Sequence, residues 1–168
     1  MTPSPDERPL SIEGRVGGPT YGYDVRLGGD GRRLTGRLGG RSLGRDLTLR
    51  VEGGRVTGRL GGRRVGKDVN VTLGSRTLTG RIGGGTLGMD LTLTASGPGI
   101  AGRCGGSVGG FDVALTVRES GVTGRLGGRL LGKDVRLSGS GSPLLMALVA
   151  ALTYAALLED SSVATPAS

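Results

Sequence analysis

The sequence predicts an all-β protein with one C-terminal helix, in which six two-strand repeats form a closed, twelve-stranded antiparallel barrel around that helix. Three observations lead to this prediction. The dipeptide Gly-Arg recurs six times at a constant spacing of 22 residues, and a period of this size indicates repeat architecture. Each repeat contains two stretches in which alternate residues are apolar, which is typical of β-strands. The one long apolar run, residues 144–158, follows the last repeat.

The repeats share the pattern G-R-(L/V/I/C)-G-G-x-x-x-G-x-D-(V/L)-x-(L/V), followed by a variable stretch. The Gly-Arg pairs begin at residues 14, 36, 58, 80, 102 and 124, and each copy has one aspartate at the same position: Asp24, Asp46, Asp68, Asp90, Asp112 and Asp134. The chain of 168 residues contains 37 glycines. Because many of them recur at fixed repeat positions, they indicate a structural role rather than disorder.

Two kinds of hairpin connect the predicted strands. Pairs such as Asp30-Gly31, Glu52-Gly53 and Ser96-Gly97 stand between copies, and such pairs suit two-residue turns with positive φ. Within a copy, the segment Gly-Gly-x-x-x-Gly forms a longer loop. Six copies of two strands each give the twelve strands of the barrel.

The two hairpins predict how the charged residues pair. Folding at Glu52-Gly53 sets Asp46 opposite Arg59, and folding at the internal loop sets Arg59 opposite Asp68. Opposite charges across antiparallel strands are favourable, whereas a parallel β-solenoid would stack like charges about 4.8 Å apart. We therefore expect an antiparallel meander with a continuous outer belt: Arg15, Asp24, Arg37, Asp46, Arg59, Asp68, Arg81, Asp90, Arg103, Asp112, Arg125 and Asp134. The alternative is a β-solenoid or an open meander capped by the helix.

The apolar run can fill the interior of a twelve-stranded barrel, which is too wide for the strand side chains to fill alone. Ser142 can cap a helix that starts at Pro143, and a helix that is apolar on every side is a buried helix. We expect it to fill the barrel, with the first glycine of each repeat giving it room beside the wall. The alternatives are a membrane tail anchor and a cap on the end of a solenoid. The predicted organisation is a disordered leader 1–13, the barrel 14–141, the helix 142–160 and a disordered tail 161–168.

Twelve antiparallel strands followed by one hydrophobic C-terminal helix resemble the tubby-like barrel superfamily, which includes the LURP-one-related proteins and the phospholipid scramblases. The resemblance covers residues 14–160 and concerns architecture. No family motif matches residue by residue, so no binding residue is carried over. The resemblance implies that the helix passes through the barrel.

Few residues suit chemistry. The chain has no histidine and one cysteine, which removes the usual general base and commonest metal ligand and excludes an intramolecular disulfide. Cys104 takes an inward apolar position of its repeat, so we expect an inert core thiol. The sequence predicts no enzyme, cofactor, metal or identifiable small-molecule substrate. Without a visible signal peptide we expect a cytoplasmic monomer, with a tail-anchored membrane protein as the alternative.

The net charge of +8 permits an anionic partner. The loops within the copies all reach the same end of the barrel, where basic residues form a predicted polyanion-binding rim: Arg41, Arg45, Arg63, Arg64, Lys67, Arg129 and Lys133. The scarcity of stacking aromatic residues disfavours nucleic acid. The sequence thus favours a non-enzymatic binding or scaffold barrel that contacts anionic lipid or another polyanion. The alternative is a structural or tail-anchored membrane repeat protein.

Overall fold

The computed structural model of the protein describes residues 9–39, 44–62, 66–83, 88–106, 110–127 and 132–164. It contains twelve strands and one helix. The strands are β1 Leu10–Gly17, β2 Gly22–Gly29, β3 Arg33–Gly39, β4 Gly44–Glu52, β5 Arg55–Gly61, β6 Gly66–Leu73, β7 Thr77–Gly83, β8 Gly88–Ser96, β9 Gly99–Cys104, β10 Phe111–Arg118, β11 Gly121–Leu126 and β12 Lys133–Gly139, and the helix is α1 Pro143–Ala164.

The strands form a closed antiparallel barrel in which each strand pairs with its neighbours in the sequence and β12 pairs with β1. Inward residues such as Val56 and Leu60 of β5 are buried, while Thr57 and Arg59 between them face outward and are half-buried. The predicted fold class is therefore confirmed. The boundary of the barrel lies earlier than predicted, because Leu10 already begins β1 within the segment assigned to the leader.

Helix α1 occupies the interior. Ser142 caps it as predicted, since the Ser142 Oγ accepts from the Leu145 N–H at 3.2 Å. Every residue from Leu144 to Leu157 is at most 5% exposed, and the buried Thr153 hydroxyl donates to the Val149 carbonyl at 2.7 Å. The helix ends at Ala164 rather than at residue 160. Within the described part of the chain, no helix combines the length and the apolarity needed to cross a bilayer.

The predicted register is correct within the copies and wrong between them. Arg59 lies opposite Asp68, as expected, but on its other side it lies opposite Thr48 rather than Asp46. The two-residue turn consists of Gly53-Gly54, with φ of +56° and +79°, and not of Glu52-Gly53. The same offset of two residues separates each repeat arginine from the aspartate of the preceding copy, so the belt is not continuous. The arginines face these residues instead: Arg136 opposite Arg15, Arg26 opposite Arg37, Thr48 opposite Arg59, Asn70 opposite Arg81, Thr92 opposite Arg103 and Ala114 opposite Arg125.

This offset is what allows the sheet to close. Six offsets of two residues give a total stagger of twelve residues around twelve strands. A stagger equal to the strand number also occurs in eight-stranded barrels, where the strands tilt by about 36°. With strands roughly 4.8 Å apart, such a tilt gives the backbone a radius of roughly 11 Å, which accommodates a helix about 10–12 Å across.

The first glycine of each repeat lies very close to the neighbouring strand. A methyl group on Gly58 would overlap the Thr48 carbonyl oxygen of the neighbouring strand, and no helix atom is among its nearest neighbours. The same holds at Gly14, Gly36, Gly80, Gly102 and Gly124, each of which faces a backbone carbonyl of the strand before it. These glycines therefore permit close strand contact where the copies meet.

Candidate functional site

The repeat motif forms a structural clamp in every copy. The repeat arginine pairs with the aspartate nine residues later at 2.6–2.9 Å. In three copies the described residues also show its Nε donating to the carbonyl three residues later, as from Arg59 to Gly62 at 2.9 Å. The aspartate side chains are 66–78% exposed, and such surface pairs contribute about 0.2–1 kcal/mol each. The repeat arginine and aspartate thus stabilise the hairpin loop within each copy.

A second glycine completes this clamp. The fourth residue of each repeat has φ between +94° and +114°, a conformation that other residues rarely adopt. The six positions are Gly17, Gly39, Gly61, Gly83, Gly105 and Gly127. The shared residues of the repeat are accounted for by the construction of the barrel. A functional site is therefore best sought at positions that differ between the copies.

The predicted basic rim lies at the loop end of the barrel, where the loops within the copies meet the C-terminal part of α1. Lys67 and Arg45 both contact Glu159 of the helix, with 3.7 Å between Arg45 Nη2 and Glu159 Oε2. The Lys133 ammonium lies 5.1 Å from the centre of the Tyr21 ring, a cation–π distance. The other rim residues, Arg41, Arg63, Arg64 and Arg129, lie outside the described residues. The three described cations of this rim thus all have partners within the protein.

Cys104, Tyr23 and Tyr154 are titratable side chains that face the interior. Cys104 is fully buried, and burial raises the pKa of its thiol to about 11, against a smaller opposing effect of the Lys67 ammonium. Burial also raises the pKa of the Tyr154 phenol, whose ring stands edge-on to Phe111 with 4.6 Å between the ring centres. The expectation of a buried core thiol is confirmed. The described residues contain no group of three or more acidic, Cys or His side chains placed to hold a metal ion.

The opposite end of the barrel carries a site that the sequence reasoning missed. At this turn end, the turns between the copies surround the start of α1. Six arginines lie in or beside these turns, namely Arg32, Arg33, Arg50, Arg55, Arg76 and Arg118, against three acidic residues, Asp30, Glu52 and Glu119. Arg33 and Arg55 share one repeat position and Arg32 and Arg76 share another, but neither position is an arginine in all six copies, so they were outside the repeat consensus. They would have been found by collecting the charges that flank each predicted turn.

Most of these arginines have no carboxylate partner. In the described residues, Arg33, Arg50, Arg55, Arg76 and Arg118 form no ion pair. Arg33 even stands directly opposite Arg50 across β3 and β4, and facing like charges destabilise a strand pair. Among the described residues, the turn end therefore has an excess of positive charge.

One acidic residue at this end, Asp30, is held within its own turn. The Asp30 Oδ1 accepts from the backbone N–H groups of Arg32 and Arg33 at 2.8 and 2.9 Å. These two bonds lower the pKa of Asp30 below its usual value. The Asp30 carboxylate thereby fixes the first turn, and the arginine side chains of that turn stay exposed beside it.

An apolar cavity of about 640 Å³ opens among these turns. Its wall includes Leu73, Ala95, Val117 and Leu144, together with Pro98 and Pro143. Leu73, Ala95 and Val117 occupy the same inward position in successive copies, and all three are only partly buried. A volume of this size lies within the range of about 300–1,000 Å³ that small-molecule pockets occupy. The turn end thus joins an apolar cavity to a basic edge.

The chain matches no protein-family model, and neither the curated proteins nor the solved structures include a significant match to it.

Proposed function

We propose that this protein is a non-enzymatic binding module that docks on anionic lipid surfaces through the turn end of its barrel. The observation that carries the proposal is that arginines without a carboxylate partner among the described residues share one end of the barrel with an apolar cavity. Each Lys or Arg near an anionic membrane surface contributes about 1 kcal/mol of attraction. Apolar side chains beside such cations favour a lipid surface over single-stranded nucleic acid, whose bases commonly stack on aromatic rings.

The interior supports a binding role over a catalytic one. Helix α1 fills the space in which a wider barrel would hold a substrate, and the thiol of Cys104 is closed off from solvent. The tubby-like superfamily, which the chain resembles in architecture, also builds its barrel around a helix. Membership of that superfamily is part of the proposal and rests on architecture alone.

The loop end is the weaker candidate for the same partner. Lys67 and Arg45 already have a carboxylate partner in Glu159, so an anionic surface would have to compete with it. The contribution of Arg41, Arg63, Arg64 and Arg129 stays a prediction. Variants that change only one end of the barrel distinguish the two surfaces.

Co-sedimentation with vesicles tests the proposal. We expect binding to vesicles that contain phosphatidylserine, little binding to pure phosphatidylcholine vesicles, and loss of binding as salt rises, because salt screens exposed charges. The double variant Arg33→Glu and Arg50→Glu should weaken binding at least about tenfold, since it reverses two charges worth about 1 kcal/mol each.

The matched control changes two arginines on the side wall. Arg26 and Arg136 are exposed and have no carboxylate partner in the described residues, so Arg26→Glu with Arg136→Glu makes the same change in net charge away from the turn end. This control should bind nearly as well as the unchanged protein. Absence of binding at low salt, or an equal loss in both double variants, would refute docking through the turn end.

A further inference from the structure

The cavity at the turn end lies between the start of α1 and the ends of three strands, β6, β8 and β10. After β12 the chain passes over β1, where a methyl group on Gly141 would lie 3.3 Å from Leu10 Cδ1 and 3.4 Å from Ile12 Cδ1. The helix packs most closely on β9 to β12, β1, β2 and β4. The ends of β6, β8 and β10 lie beside the start of the helix. Their last inward residues, Leu73, Ala95 and Val117, line the space between.

The lining of this cavity suits a hydrocarbon chain. It is made of aliphatic side chains, prolines, glycines and the two serines Ser75 and Ser142, and it includes no charged and no aromatic residue. In the described residues no buried side-chain nitrogen or oxygen lacks a hydrogen-bond partner. Nothing in the wall thus selects for a polar or flat ligand, and burial of an apolar chain gains about 0.8 kcal/mol per CH₂ group.

The edge of the cavity suits an anionic head group. Arg76 is exposed next to Ser75 of the lining, and Arg118 follows Val117, with its Nε bonded only to the neutral Thr123 hydroxyl at 3.1 Å. The first turn of α1 reaches the same edge, and the Leu144 N–H is among the helix donors that have no intrahelical acceptor. No acidic residue lines the cavity. Arg76 and Arg118 beside the opening outnumber Glu119, the acidic residue that follows Arg118, so the charge there complements a carboxylate.

We propose that this cavity binds one single-chain anionic amphiphile of the fatty-acid class, with its hydrocarbon chain against Leu73, Ala95 and Val117 and its carboxylate near Arg76. The inference deepens the proposed function and rests on it for the biological source of the ligand, since a lipid surface supplies such molecules. The site itself is independent of vesicle docking and is tested without vesicles.

The test uses cis-parinaric acid, a fatty acid that becomes fluorescent in apolar surroundings, added below its micelle-forming concentration. Ala95→Leu fills the cavity with the side chain that stands at the equivalent position of the third copy, Leu73, so the fold should tolerate it. Ala114→Leu makes the same substitution on the exposed outer face of β10. Circular dichroism and a thermal melt check that both variants are folded. If Ala95→Leu does not fold, Val117→Ile, a smaller insertion into the same wall, takes its place.

We expect saturable binding by the unchanged protein and the same dissociation constant for Ala114→Leu. For the cavity-filling variant we expect a dissociation constant at least about tenfold higher, because two or more CH₂ groups of the ligand can no longer be buried in the cavity. Arg76→Gln should weaken binding of the fatty acid, because it removes the cation near the carboxylate. It should not weaken binding of the fatty alcohol of equal length, measured by its competition with parinaric acid. Absence of saturable binding, or equal binding by both alanine variants, would overturn the proposal.

The two proposals fail separately. If parinaric acid binds and vesicles do not, the cavity stands and surface docking is wrong. If Arg33→Glu with Arg50→Glu abolishes vesicle binding while Ala95→Leu leaves parinaric acid binding intact, docking stands and the cavity is not the site.

Discussion

At the scale of the residue, glycine is what makes the repeat possible. Two glycines per copy have separate tasks: the fourth residue has a left-handed φ at the start of the loop, and the first lets a neighbouring carbonyl approach its α-carbon. The sequence showed that both positions matter, because they recur in all six copies. It did not show the second task, which depends on the distance between adjacent strands.

Gly58→Ala tests that task. The added methyl group would overlap the Thr48 carbonyl oxygen, and because this atom belongs to a paired strand, the strand itself must move. We expect the free energy of unfolding to fall by about 1–3 kcal/mol, measured by equilibrium denaturation with urea. Gly18→Ala is the control, since a methyl group there would have no atom within 4 Å and its φ lies outside the left-handed region. Equal stability of the two variants would show that the neighbouring strand moves away from Gly58 without a measurable cost in free energy.

At the scale of the element, the hairpins within each copy could be predicted and the junctions between copies could not. Six Arg–Asp pairs form as the sequence indicated, because one short loop fixes their register. Across the junctions, charge pairing favoured Asp46 opposite Arg59, but Thr48 lies there. The stagger needed to close twelve tilted strands belongs to the whole ring, and no single hairpin records it.

Helix α1 contains a buried and an exposed leucine, and substituting each tests whether the barrel encloses the helix. Leu148 is fully buried, whereas Leu158 near the other end of the helix is 43% exposed. Leu148→Ala removes the same atoms as Leu158→Ala but leaves a cavity between helix and wall. We expect Leu148→Ala to lower the free energy of unfolding by about 2–5 kcal/mol and Leu158→Ala to change it by less than about 0.5 kcal/mol. Similar losses from both substitutions would mean that α1 is not enclosed by the barrel in solution.

At the scale of the whole molecule, symmetry separates what the sequence could reveal from what it could not. The sixfold repeat made the strand number and the central helix predictable. The candidate site breaks that symmetry: the cavity is lined by Leu73, Ala95 and Val117 of three copies and by the first residues of α1. The path of the helix inside the barrel follows from packing around the full ring, so the repeat pattern pointed to the loop end and missed the turn end.

The barrel and the helix depend on each other, and a fragment of residues 1–141 tests this. Without α1, the inward side chains of all twelve strands, among them Leu34, Leu49 and Leu93, would line an empty space or meet water. Strands that cannot close leave unpaired edges, which invite aggregation. We expect the fragment to be expanded or aggregated by size-exclusion chromatography, and a synthetic peptide of residues 142–164 added during refolding to restore a monomeric, strand-rich species by circular dichroism. If residues 1–141 alone formed a stable monomer with a sharp thermal transition, the wall would be self-sufficient, and α1 would be an occupant of the barrel rather than its core.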